Sequence, residues 1–139
     1  MEQKCKIMIV DDAALMRMVI KKLIQDDKRL VICGMAQNGA EALKLLGEQS
    51  PDVILLDLEM PQMDGLTFLR HARDKTEAKI IVLSSRISAG DPSAAEAVRL
   101  GADSTVPKPS GSVSFDLKQK VGKRLLNTIY EQVGWDLIP

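Results

Sequence analysis

With 139 residues, 45% of them hydrophobic and 27% charged, the chain has enough apolar material for one self-supporting core and too little length for two packed domains. Nineteen basic side chains balance nineteen acidic ones, so no net field draws it to nucleic acid or to an anionic membrane surface. The stretch before Asp11 is neither a signal-peptide core nor a membrane span, which makes the cytoplasm the expected location.

Short apolar runs rich in β-branched residues alternate with segments of helical period, the pattern of a parallel sheet covered by helices on both faces. Lys6 to Val10 is the first expected strand, followed by a helix whose Leu15, Met16, Val19, Ile20, Leu23 and Ile24 form one apolar stripe. Leu30 to Ala36 reads as the second strand, and the turn Gln37-Asn38-Gly39 opens a helix carrying Ala42, Leu43 and Leu46. Val53 to Asp57, almost wholly apolar, is a strand buried on both faces; after the loop from Glu59 to Gly65 a helix runs from about Leu66 to Arg73. Ile80 to Ser84 is the fourth strand, Ser88 to Pro92 a loop, and Ser93 to Leu100 a helix closed by Gly101. Thr105-Val106 forms a short fifth strand, and the last helix spans about Ser114 to Val133, with Leu117, Val121, Leu125, Ile129 and Val133 inward. Cys5 and Cys33 lack the spacing of a metal or redox pair and read as small buried hydrophobes.

In an open α/β sheet, ligands bind beyond the carboxyl ends of the strands, where the strand order reverses. The first strand ends in Asp11-Asp12, the third in Asp57 and the fourth in Ser84-Ser85; the fifth is followed by Lys108, and the second ends without charge. This distribution suits the order 2-1-3-4-5, in which the first and third strands are neighbours and their carboxylates meet. Converging carboxylates repel unless one is protonated or a cation lies between them, and all-oxygen ligation points to Mg²⁺. A carboxylate nucleophile, a lysine ammonium and a serine hydroxyl are together what phosphoryl transfer needs, and Asp57, at the sheet's centre, is the expected nucleophile.

Each residue alone has a plainer reading: the aspartates as turn or cap residues, Ser84 as a loop hydroxyl, Lys108 as a solvated charge. Asp64, in Met63-Asp64-Gly65, reads as a turn residue. A metal-dependent phosphatase would carry Asp-x-Asp after the first strand, whereas this chain has Asp11-Asp12-Ala13-Ala14. Glycine-rich nucleotide motifs are missing there, and His71, the sole histidine, is expected away from the pocket edge. Lys118, Lys120, Lys123 and Arg124 read as a solvated helix face.

Val10-Asp11-Asp12, Leu56-Asp57-Leu58-Glu59-Met60-Pro61, Met63-Asp64-Gly65, Ser84 and Lys108-Pro109 together resemble the ordered motifs of two-component response-regulator receivers over nearly the whole chain. The resemblance implies a single receiver domain over 1–139 with a flavodoxin-like fold, phosphorylated on Asp57 by a histidine kinase and acting on a downstream protein or an effector domain. It also implies Mg²⁺ on Asp12, Asp57 and the Glu59 backbone carbonyl, with Asp11 completing the acidic pocket. Ser84 would bond the phosphoryl group, Lys108 pair with it, and Glu59 and Arg86 flank it. Where receivers usually carry a switch aromatic this chain has Thr105, which with Ser84 would have to relay the change. Pro107 to Ser114 is most similar to the receiver half of chemotaxis protein-glutamate methylesterases. That likeness leaves two expectations: a stand-alone regulator limited to its own phosphorylation and dephosphorylation, or the regulatory part of a methylesterase whose hydrolase domain lies elsewhere.

Overall fold

A computed structural model describes residues 4–60, 63–84, 92–108 and 115–139, with side chains from 120 onward in the last segment. The elements are β1 (Cys5–Val10), α1 (Ala14–Gln25), β2 (Leu30–Ala36), α2 (Gly39–Glu48), β3 (Val53–Asp57), α3 (Gly65–Ala72), β4 (Lys79–Ser84), α4 (Pro92–Arg99), β5 (Ser104–Pro107) and α5 (Phe115–Val133). The five strands are parallel in the order β2-β1-β3-β4-β5, as the chemistry of their ends predicts. Ser85, Arg86, the loop before Pro92, and Pro109 to Ser114 lie outside the described residues, as do the side chains of Leu117 and Lys118.

Alternation along the strands sorts the core into two layers. Met8, Val10, Ile54, Leu56, Ile80 and Val82 face α2, α3 and α4, where they meet Ala42, Phe68, Leu69 and Ala97. Ile7, Ile9, Leu55, Ile81, Leu83 and Val106 face α1 and α5, against Ile20, Ile24, Leu125 and Ile129. Because β3 is central and covered on both sides, every one of its residues is buried, which is why Val53 to Asp57 reads as an unbroken apolar run until its final carboxylate.

The α1 stripe is narrower than expected. Ile20 and Ile24 are fully buried and Met16 and Leu23 pack beside them, but Leu15 is 74% exposed and Met18 points to solvent. Met16, Ile20 and Ile24 recur every four residues along one line, and Leu15 sits one residue, about 100°, away from it. Helix ends follow local chemistry. Asn38 and Asp64 accept from the amides of Glu41 and Thr67 at 2.8 Å each, capping α2 and α3 and giving Asp64 the turn role assigned to it. Gly101, at φ 116°, ends α4 with paired bonds from its own amide to Val98 and from Ala102 to Ala97. The β1–β2 register slips between Ile7 and Met8, leaving Cys33 as an extra residue on the outer strand.

Candidate functional site

Strand register brings the expected residues to one edge. Val10 pairs with Leu56, Asp57 with Leu83 and Ser84 with Pro107, so Asp11 and Asp57 leave neighbouring strands side by side, and the Lys108 amide bonds the Ser84 carbonyl at 3.2 Å. Approach of α3 to this edge depends on Gly65: a Cβ there would lie 2.5 Å from both the Asp57 carbonyl oxygen and the Leu58 Cα.

Asp57 is 0% exposed. Its Oδ1 accepts from the Glu59 amide at 3.0 Å and receives the Lys108 ammonium at 3.0 Å, while its Oδ2 has no hydrogen-bond partner among the described residues. Asp11, 1% exposed, accepts from the Ala13 amide through Oδ1 at 2.9 Å, and the same ammonium stands 3.3 Å from its Oδ2. Asp12 is exposed at the rim, and one carboxylate oxygen from each of Asp11, Asp12 and Asp57 falls within a common 4.8 Å. Buried Ser84 donates to Glu59 Oε1 at 3.3 Å across the mouth. Thr105 is separate from this group: it pairs with Val82 and lines the groove between β5 and α5 with Lys120, Arg124 and Thr128. His71 ends up in the last turn of α3, away from the carboxylates.

Electrostatics follow from this crowding. Burial pushes the Asp57 carboxyl up to about 6; the Asp11 charge adds to the rise, while the Glu59 amide and Lys108 hold it back. Burial also opposes the Lys108 charge, but the hydrogen bond to Asp57 and the two carboxylate charges outweigh it, so its pKa is raised. One ammonium cannot satisfy three carboxylates. The unpartnered, buried Asp57 Oδ2 and the all-oxygen donor set fit a hard divalent cation, which Asp11, Asp12 and Asp57 could hold.

A model of the response regulator receiver domain matches residues 7–120. The chain belongs to the response regulator receiver family. A receiver-bearing relative, the protein-glutamate methylesterase/protein-glutamine glutaminase of Halalkalibacterium halodurans, is 42% identical over 119 residues, 86% of this chain and 34% of that protein. This receiver therefore spans about a third of the length of such curated relatives, which include a Pyrococcus horikoshii protein of the same name at 39% identity and 32% coverage. Among solved structures, the response regulator domain of Thermotoga maritima CheB superposes with a TM-score of 0.86 at 34% identity, covering 96% of this chain and 99% of that one. A chain of the complex between the P1 domain of CheA3 and CheY6 from R. sphaeroides is 47% identical, with a TM-score of 0.80 and coverage of 95% and 98%. Receivers of the chemotaxis type are thus its relatives both in sequence and in fold.

Two contacts at the edge escape a reading of the sequence. One is the Ser84 to Glu59 hydrogen bond. The other is Arg17, whose Nη1 donates to the Asp11 carbonyl oxygen at 2.7 Å. A cation one turn into the helix that follows the acidic pair was the available signal.

Proposed function

We propose that this receiver is a phosphoacceptor in two-component, chemotaxis-type signalling, with Asp57 as its nucleophile and a histidine kinase as its donor. The observation that carries the reading is the fully buried Asp57 carboxylate with one oxygen unpartnered among the described residues and the Lys108 ammonium 3.0 Å from the other. In the transfer, a carboxylate oxygen of Asp57 attacks the phosphorus of a phosphohistidine. An O–P bond forms as the P–N bond breaks, and the electron pair leaves on the imidazole, which takes up a proton. Lys108 offsets charge on the phosphoryl oxygens, and the Ser84 hydroxyl turns from Glu59 to donate to one of them. Mg²⁺, held by Asp12, Asp57 and the Glu59 carbonyl with Asp11 completing the pocket, supplies further charge neutralisation when bound. Ser84 and Thr105, on adjacent strands, carry the response toward the β5–α5 groove, where a threonine permits a smaller movement than a rotating ring.

A kinase partner is supported by the relative crystallised with the CheA3 P1 domain, and a cytoplasmic setting by that assignment; no helix among the described residues is long and apolar enough to cross a membrane. The names and lengths of the curated relatives favour a second reading, in which the receiver is the regulatory third of a protein-glutamate methylesterase and hydrolysis belongs to a further domain. A reading frame that continues into a hydrolase domain supports that assignment, and one that terminates at residue 139 refutes it. The phosphoacceptor assignment is tested by exposing the parent and Asp57→Asn to a radiolabelled phosphohistidine donor. Label is expected on the parent alone, and equal labelling of both refutes it.

A further inference from the structure

We propose that Arg17 is a positioning residue for the acidic pair, holding the Asp11–Asp12 peptide in the orientation that aims Asp12 into the metal site; this rests on the proposed role of Asp11, Asp12 and Asp57 as that site. The turn from β1 into α1 is weakly specified by ordinary means. Ala13 stands at the N-cap of α1 without a side chain able to cap it, and the first turn carries no acidic residue. Among the described residues three contacts hold the turn instead: the Asp11 amide to the Ala36 carbonyl at 3.0 Å, the Ala13 amide to Asp11 Oδ1 at 2.9 Å, and Arg17 Nη1 to the Asp11 carbonyl at 2.7 Å.

Their roles differ. The first two anchor the backbone before the turn and the Asp11 side chain, which Lys108 also reaches. Asp12 has no such support: it is exposed, and its carboxylate takes part in no hydrogen bond or ion pair among the described residues. Its direction is inherited from the backbone, and the Asp11 carbonyl and Asp12 amide share one rigid plane. Arg17 is the only side chain among the described residues that grips this plane. Arg17 is half-buried as a residue, and its guanidinium makes no ion pair among the described residues and spends its short contact on a carbonyl. A group that acted by charge alone would instead be expected against a carboxylate.

Positioning and charge predict effects of opposite sign. Arg17 adds positive charge beside a site for a divalent cation, so if it were a bystander its removal would tighten Mg²⁺ binding. If it orients Asp12, its removal weakens binding, by the order of tenfold typical of residues that fix a metal ligand from behind. Calorimetric titration of Mg²⁺ into the 139-residue chain, Arg17→Met and Arg17→Lys separates these, with urea midpoints in EDTA reporting the fold. The expected result is a Kd about tenfold higher for Arg17→Met, with Arg17→Lys between it and the parent because an ammonium can still donate to the carbonyl. An unchanged or lower Kd for Arg17→Met overturns the proposal; should that variant not fold, an unchanged or lower Kd for Arg17→Ala, which also removes the donor while keeping a strong helix former, does so. An Asp12→Asn arm isolates the underlying reading. If Asp12→Asn binds Mg²⁺ as the parent does, the metal site itself is misassigned. If it loses binding while Arg17→Met keeps it, only the role of Arg17 fails.

Discussion

Replacing Asp57 by asparagine keeps the side-chain shape and removes the charge, so without Mg²⁺ the substitution measures what the acidic pocket costs the fold. Burial raises this carboxyl from its ordinary 3.8 to about 6, which means that the folded protein favours the protonated form. The contribution is therefore most favourable below about pH 4 and is lost as pH rises through about 6. At about 1.4 kcal/mol per tenfold change in the proton equilibrium, the full penalty above pH 7 is about 3 kcal/mol. The new amide buries donors where an acceptor faced Lys108, at a cost of about 1–2 kcal/mol. We expect Asp57→Asn to be more stable than the parent by about 1–2 kcal/mol at pH 8 in EDTA, and to show no advantage near pH 4. Urea unfolding followed by far-UV circular dichroism at the two pH values reads the difference from the midpoints and slopes. A variant less stable than the parent at pH 8, or an advantage of equal size at both pH values, would refute the reasoning.

A Cβ at position 65 would meet backbone atoms of Asp57 and Leu58 at 2.5 Å, so Gly65→Ala must move α3 or the end of β3. A loss of about 1–3 kcal/mol in urea unfolding and slower labelling from the phosphohistidine donor are expected, and a parent-like labelling rate would show that Asp57 tolerates the shift. At the opposite end of the sheet, Asp27 accepts from the Arg29 guanidinium and from the Tyr130 hydroxyl at 2.8 Å each, and the arginine chiefly pulls its carboxyl down to about 2. Because this pKa is depressed, the stabilisation is present above about pH 4 and is lost as pH falls through about 2. Asp27→Asn should therefore be less stable than the parent at pH 7, with the deficit shrinking on acidification; a gap constant down to pH 2 would point to lost packing instead.

Much of this molecule was legible from its residues, and for identifiable reasons. A central strand covered on both faces has to be apolar throughout, which makes Val53 to Leu56 unmistakable and Asp57 conspicuous at its end. The positions of Asp11, Asp57, Ser84 and Lys108 on successive strands then bring them together once the order is known. Periodicity could say that α1 has an apolar stripe, but not that the Met16–Ile20–Ile24 line meets the sheet while Leu15 faces water, because that depends on how the helix is rotated against its neighbours. Nor could it find that Arg17 bonds a carbonyl or that Glu59 receives the Ser84 hydroxyl. A side chain's partner across a turn or a gap between strands depends on three-dimensional register, which spacing in one dimension does not encode.

The slipped register opposite Met8 has a bearing on how this molecule coexists with others like it. A sheet grows by recruiting a foreign strand along a straight row of free peptide groups, and the kink at Cys33 breaks that row on the β2 side. On the far side β5 offers only four residues, the last of them Pro107, which has no amide hydrogen to donate. With both margins spoiled as templates, the lamina is self-terminating, so joining sheet to sheet along an edge is a poor route for copies of this receiver to associate.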